Sequence, residues 1–204
     1  DPGVYVRSMA RSGALGAPAP TIDDVASVVA ALGFDYVLVE TGGAGQDWLS
    51  GFENLSGSAW ADRLAGDAGN NVLMGLGGDD RLSGGAGNDV LDGGVGNDVL
   101  DGSDGSDTAD YSGTLAALRV TLGYAGPQDT LAAGTDRLLS IENVTGGAGA
   151  DLLWGDNGAN RIEGSDGNDF IQGAGGNDTL LGGAGNDALV GGLGADRLEL
   201  GTGS

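Results

Sequence analysis

From Gly57 onward the apolar residues recur at every ninth position. Leu64, Leu73, Leu82, Leu91 and Leu100 are spaced this way, as are Leu153, Ile162, Ile171, Leu180, Leu189 and Leu198. A nine-residue period fits neither an amphipathic helix nor a long strand. It predicts a solenoid in which each unit supplies a short strand and a turn, and two units close one coil of about 18 residues. The apolar residue of each unit then points inward. Leu64, Leu82 and Leu100 stack on one side, opposite Leu73, Leu91 and Ala109. In the same way Leu153, Ile171 and Leu189 face Ile162, Leu180 and Leu198. The expected fold is all-β, a parallel β-solenoid in two arrays, with a short N-terminal α/β fragment.

The units are written G-G-x-G-x-D-x-U-x, where U is a large apolar residue. The first array runs from GSAWADRLA (57–65) to GSDGSDTAD (102–110), and the second from GGAGADLLW (146–154) to GGLGADRLE (191–199). The glycines suit turns that need positive φ or close backbone approach. Residues 111–145 break the period, with a strand expected in LRVTLGY (118–124). DWLSGFENLSG (47–57) and DRLLSIENVTG (136–146) are counterparts that each precede an array, and both read as lead-in elements covering a first coil. Residues 1–46 differ. Thr21 can cap a helix carrying Val25, Val28, Val29 and Leu32, Gly33 can end it, and DYVLVE (35–40) reads as a strand. This fragment is too small to bury a core of its own. The expected divisions are 1–46, 47–110, 111–145, 146–199 and a short tail, 200–204. Opening at Asp1 and closing inside a repeat, the sequence reads as a piece of a longer product.

Charge narrows the chemistry. Asp and Glu total 30 against 8 Lys plus Arg, a net charge of −22, which excludes nucleic acid as a partner and favours cations. Every basic residue is an arginine, and there is no histidine or cysteine. A phosphate-binding loop lacks its lysine, a Ser-His-Asp triad its histidine, and zinc or iron–sulfur sites their usual ligands. No apolar run is long enough for a membrane-spanning helix.

Aspartate fills position six of ten of the twelve units, and Asn71 and Asn160 fill the other two. Turns on one side lie about 4.8 Å apart, so these carboxylates form columns. Two such charges about 5 Å apart repel by roughly 3 kcal/mol at an effective dielectric near 20. A divalent cation reverses the sign. Calcium, which takes six to eight oxygens in a flexible shell, suits the arrangement better than magnesium. The expected ligand pairs are Asp62 with Asp80, Asp80 with Asp98, and Asp89 with Asp107. In the second array they are Asp151 with Asp169, Asp169 with Asp187, and Asp178 with Asp196. Asn71 with Asp89 and Asn160 with Asp178 are the weaker partners. Position-five Asn88, Asn97, Asn168, Asn177 and Asn186 are expected to support the turns, and Glu53 and Glu142 to orient backbone amides. Trp48, Trp60 and Trp154 are expected to cover coil ends or lead-ins, and position-seven Arg63, Arg81, Arg161 and Arg197 to face solvent.

The nonapeptide resembles the RTX, or hemolysin-type, calcium-binding repeat of bacterial proteins exported by type I secretion, over about residues 47–199. The resemblance implies a right-handed parallel β-roll that binds several calcium ions. It also implies folding outside the cell, an extracellular or cell-surface location and a secretion signal at the extreme C-terminus, a signal that the closing LELGTGS does not show. Residues 1–46, through DPGVYVRSMARSGALG and GFDYVLVETGGAGQ, resemble an internal stretch of the GTPases associated with methylmalonyl-CoA mutase. There Glu40, Thr41, Gly43, Gly45 and Gln46 would map to switch II, although no P-loop is present. GGAGQDWLS (42–50) fits both patterns, as a fusion, or a gene-assembly error, across a shared glycine-rich stretch would. The leading expectation is a non-enzymatic calcium-binding module. The alternatives are a fragment or fusion of a nucleotide-binding GTPase, and a structural surface or adhesin repeat whose exposed edges allow self-association.

Overall fold

The computed structural model describes residues 54–203, together with the backbone of the strands Val4–Arg7, Val37–Glu40 and Trp48–Ser50. Among the described residues every regular element is a strand. Most are three to seven residues long. Such short strands gain little from local propensity, and the structure holds through stacking from coil to coil.

One face is a single ten-stranded sheet. Its inward residues run in register through both arrays: Leu55, Leu73, Leu91, Ala109, Val144, Ile162, Leu180 and Leu198. The opposite face carries Leu64, Leu82, Leu100 and Leu138 in one sheet, and Val120, Leu153, Ile171 and Leu189 in another. Except for Leu189 and Leu198 toward the C-terminal end, these side chains are buried in one continuous core. Each buried leucine contributes about 1.5–3 kcal/mol of burial free energy. Leu198, on the last rung, is 44% exposed.

The two arrays are therefore one roll on the first face and interrupted on the second. Residues 111–145 account for the interruption. Their strand Arg119–Thr121 lies against Leu152–Trp154, while Thr135–Leu139 lies against Val99–Gly105. The two strands do not pair with each other. The second face thus holds both of them between Val99–Gly105 and Leu152–Trp154. The first face fits only Asn143–Thr145 between Thr108–Asp110 and Arg161–Asp166. Gln128–Asp129 adds an antiparallel edge to Thr135–Leu139, and buried Tyr111, Leu118, Leu122, Ala133 and Ile141 fill the wedge.

The first lead-in covers the first nonamers by forming a coil itself. Trp48–Ser50 and Asn54–Ser56 pair with Arg63–Ala65 and Val72–Met74. The second lead-in differs: Asn143–Thr145 lies against Arg161–Asp166 of the second array, but Thr135–Leu139 packs on Val99–Gly105 of the first, and Arg119–Thr121 covers the first nonamer strand in its place. The strand expected in DYVLVE is present as Val37–Glu40, joins the ten-stranded sheet through Leu55, and pairs in parallel with Val4–Arg7, which the sequence did not signal. The helix expected from Thr21 to Leu32 lies outside the described residues. The strand expected over 118–124 narrows to Arg119–Thr121. Trp60 is exposed, Trp154 is half-buried beside Phe170 with ring centroids 6.4 Å apart, and the Trp48 side chain lies outside the described residues. Arg63, Arg81, Arg161 and Arg197 are exposed.

Candidate metal centre

Each turn falls within the first six positions of a nonamer, although in several units the preceding strand runs on into them, as in Arg81–Gly87 and Val99–Gly105. Position two takes a left-handed conformation in eight of the twelve units, at Gly85, Gly94, Gly183 and Gly192 and also at Leu76, Ser103, Ser165 and Ala174, where φ is 72–76°. A side chain there is strained, so only the tight closure of the turn holds these residues. The closure delivers position six to a fixed point. Its carboxylate points into the turn while the next two residues enter the strand.

The position-six side chains form the expected columns, joined by hydrogen bonds. The backbone N–H of one rung donates to Oδ1 of the aspartate one coil later: Asp62 to Asp80 at 2.7 Å, Asp80 to Asp98 and Asp89 to Asp107 at 2.8 Å. The second array repeats this from Asp151 to Asp169 at 2.8 Å, and from Asp169 to Asp187 and Asp178 to Asp196 at 3.0 Å. Asn71 and Asn160 donate likewise to Asp89 and Asp178. All the paired residues anticipated from the spacing are thus brought together.

In most rungs Oδ1 is satisfied but Oδ2 is not; at Asp62 and Asp151 Oδ2 accepts from the Ser58 N–H and hydroxyl and from the Gly147 N–H. The Oδ2 atoms of Asp80, Asp89, Asp98, Asp107, Asp169, Asp178 and Asp187 are buried without a hydrogen-bond partner. Position-one glycine explains how they fit. A Cβ added to Gly57 would lie 2.6 Å from Asp62 Oδ2 and 2.8 Å from the Gly75 carbonyl oxygen one coil later. At Gly75, Gly164 and Gly173 the added Cβ would again strike the aspartate Oδ2, and would lie 2.6 Å from the carbonyls of Gly93, Gly182 and Gly191. A carboxylate oxygen and a carbonyl oxygen from the next coil therefore face a space that any larger residue would fill.

Leaving a buried charge unpaired is costly, and the carboxyl groups show it. Burial, reinforced by Asp136 and Asp80 in the same column, pushes Asp98 up to about 7. Burial also raises Asp80 and Asp169 to about 6, with column neighbours adding to the effect. Asp89, Asp107, Asp151 and Asp178 move in the same direction, again chiefly by desolvation. The donors are oxygens only, anionic or carbonyl, which is the set a hard cation such as calcium requires. Among the described residues no three carboxylates converge. A cation here would draw its charge from one or two aspartates and its remaining ligands from the backbone.

Two members of the columns escaped the sequence reading as such. Asp136 accepts from the Asp98 N–H at 3.0 Å, the Tyr111 hydroxyl at 3.0 Å and Thr130 Oγ1 at 3.1 Å. Glu142 accepts from the Asp107 N–H at 2.9 Å, which is the amide-orienting role expected of it. The signal was present, since both precede an inward apolar residue by two positions, as Asp does in the nonamers. Glu53 lies outside the described residues. Position-five residues form a second ladder that runs the opposite way. Asn88 Oδ1 accepts from Ser106, Asn97 Oδ1 from Thr135, Asn168 Oδ1 from Asn186, and Asn177 Oδ1 from Ala195, with the donor N–H always on the later coil.

A parallel β-solenoid whose turns carry ladders of buried aspartates is a repeat module built around cations. The profile of the RTX calcium-binding nonapeptide repeat, four copies long, matches residues 41–73, 56–91, 74–109, 140–171 and 163–198, and the chain belongs to that family. Residues 1–50 match the family of the methylmalonyl Co-A mutase-associated GTPase MeaB. The chain is also 50% identical over 46 residues to a Pyrococcus abyssi (strain GE5 / Orsay) protein named "Putative GTPase"; that likeness spans 22% of this chain and 14% of that protein.

Proposed function

We propose that this chain is a non-catalytic module that orders when calcium enters the turns between successive coils, and that it does so outside the cell as part of a protein exported by type I secretion. The reading is supported above all by the buried, unpartnered Oδ2 atoms that face carbonyls of the adjacent coil. In this reading Asp62, Asp80, Asp89, Asp98, Asp107, Asp151, Asp169, Asp178, Asp187 and Asp196 hold the cations. When bound, calcium supplies the positive charge that the stacked carboxylates lack. The aspartates place their oxygens through the Oδ1 bonds between coils, and the glycines keep the space open. A low-calcium compartment would leave the repulsion in force and the chain extended, which suits passage through a narrow export channel.

Circular dichroism of the whole chain in chelator, followed by titration with calcium and separately with magnesium, tests this. A coil-to-β transition at calcium concentrations of about 10⁻⁴–10⁻³ M, the range of extracellular modules, is expected, with a much weaker magnesium response. No calcium transition, or an equal one with magnesium, overturns it. The match at residues 1–50 favours a second reading, a GTPase fragment fused to the repeats. With no P-loop in the sequence, nucleotide titration is expected to show no binding.

A further inference from the structure

Two of the twelve turns are built differently from the rest. The units GDAGNNVLM (66–74) and GDNGANRIE (155–163) have asparagine at position six, and they alone have aspartate at position two. The negative charge has moved along the turn, in both arrays, and in each case in the second unit. The buried position carries a neutral amide: Asn71 is 1% exposed and Asn160 is 3% exposed. The displaced carboxylate of Asp67 is exposed and that of Asp156 is partly so.

The geometry shows why the two changes come together. The Asp67 N–H donates to Asn71 Oδ1 at 3.1 Å, and Asn71 Nδ2 returns a bond to Asp67 Oδ1 at 3.3 Å. Asp156 and Asn160 make the same exchange at 2.9 and 3.2 Å. A backbone N–H can only donate, so the amide oxygen must face it and the NH₂ group must point the other way. The position-two carboxylate also accepts the N–H of position-four glycine, Gly69 or Gly158, at 2.7 Å. That contact, with the Asn71 amide, holds the Asp67 carboxyl below its ordinary range. Asn160 Nδ2 further donates to the Glu142 carbonyl at 2.8 Å, occupying an oxygen on the neighbouring coil. Neither asparagine leaves a buried polar atom without a partner.

We propose that these two turns are cation-independent clasps: the Asp67–Asn71 and Asp156–Asn160 pairs close their turns without calcium, keep it out, and give each array a preformed turn from which ordering starts. In seven of the other ten turns the aspartate leaves a buried Oδ2 without a hydrogen-bond partner, an anion that needs a counterion. Here an NH₂ group, which cannot ligate a cation, fills the corresponding place and binds the carboxylate that would otherwise repel its column. The division into cation-requiring and cation-free turns rests on the calcium reading above, but the closure of the clasps does not.

Two measurements on the full chain separate the two ideas. In hydrogen exchange with chelator present, peptides covering 66–71 and 155–160 are expected to exchange at least tenfold more slowly than those covering 84–89 and 164–169. Equal rates overturn the clasp even if calcium later folds the protein. Bound calcium is then counted by equilibrium dialysis for the wild type and for the double variants Asp67→Gly/Asn71→Asp and Asp156→Gly/Asn160→Asp, which restore the common pattern. Each variant is expected to bind one more ion than the wild type, while Asp156→Gly alone loses local protection and gains none. An unchanged count in both double variants overturns the exclusion of calcium. A wild type that binds no calcium overturns the functional reading and leaves the exchange result to judge the clasp.

Discussion

Acidifying the metal-free chain should stabilise it, opposite to the usual acid response of a protein rich in carboxylates. The columns bury Asp98, Asp80 and Asp169 and push their carboxyl groups up to about 7, about 6 and about 6. A group with a raised folded value binds its proton more tightly in the folded than in the unfolded chain. Between an unfolded value near 3.8 and those folded values, the folded state therefore carries the extra protons. Stability then falls as pH rises, by about 1.4 kcal/mol per pH unit for each such aspartate. The stabilisation is present at low pH and is lost as pH passes through 6 for Asp80 and Asp169 and through 7 for Asp98. Protons stand in for the missing cation. The assay is urea unfolding followed by circular dichroism, in chelator, at about pH 5 and about pH 8. The chelated chain is expected to hold more β-structure and a higher midpoint at the lower pH. Addition of calcium near pH 6 in weak buffer should then release protons, because the cation displaces them. A chelated chain that is equally or less structured at pH 5, or calcium binding without proton release, would refute the account of the columns as buried and charge-starved.

Two stability changes follow from the packing of the calcium-loaded protein. Leu82→Ala empties a fully buried place in the inward column and should cost about 2–5 kcal/mol, read as a lower denaturation midpoint. A change below about 1 kcal/mol would mean that the column is not packed as described. Ala174→Gly relieves a left-handed residue at φ 76° and should raise the melting temperature, in line with a penalty of roughly 1–2 kcal/mol for side chains in that conformation. A fall in melting temperature would show that the Ala174 methyl group contributes more than the strain costs.

Much of this molecule could be read without coordinates because its contacts repeat at a fixed separation. Once Leu64, Leu82 and Leu100 are seen to be 18 apart, their stacking and that of Asp62, Asp80 and Asp98 follow. The reading weakened where the separation changed. Asp98 meets Asp136 across 38 residues and Asp107 meets Glu142 across 35, so no period pointed from one to the other. The strand Arg119–Thr121 was visible, but not its docking under Leu152–Trp154, because the intervening chain turns back before it goes on. The asparagines were expected to be weaker ligands on charge alone. What that reasoning lacked was the position-two aspartate, whose bonds to Asn71 and Asn160 give those turns partners of their own. The opposed direction of the position-five ladder depends on side-chain orientation, which no spacing encodes.

The break at the junction falls on one flank only. On that flank the acidic column stops at Asp136 and resumes below Asp151, where Leu118 donates the N–H but offers no carboxylate. On the other flank the rungs continue from Asp107 through Glu142 to Asn160 without a gap. The halves of the protein thus share an unbroken ladder on one flank, while the other is bridged by Leu118 against Leu131, by Thr121 bonded to Gln128 and by the buried wedge. Tension applied along the axis would part that second flank first.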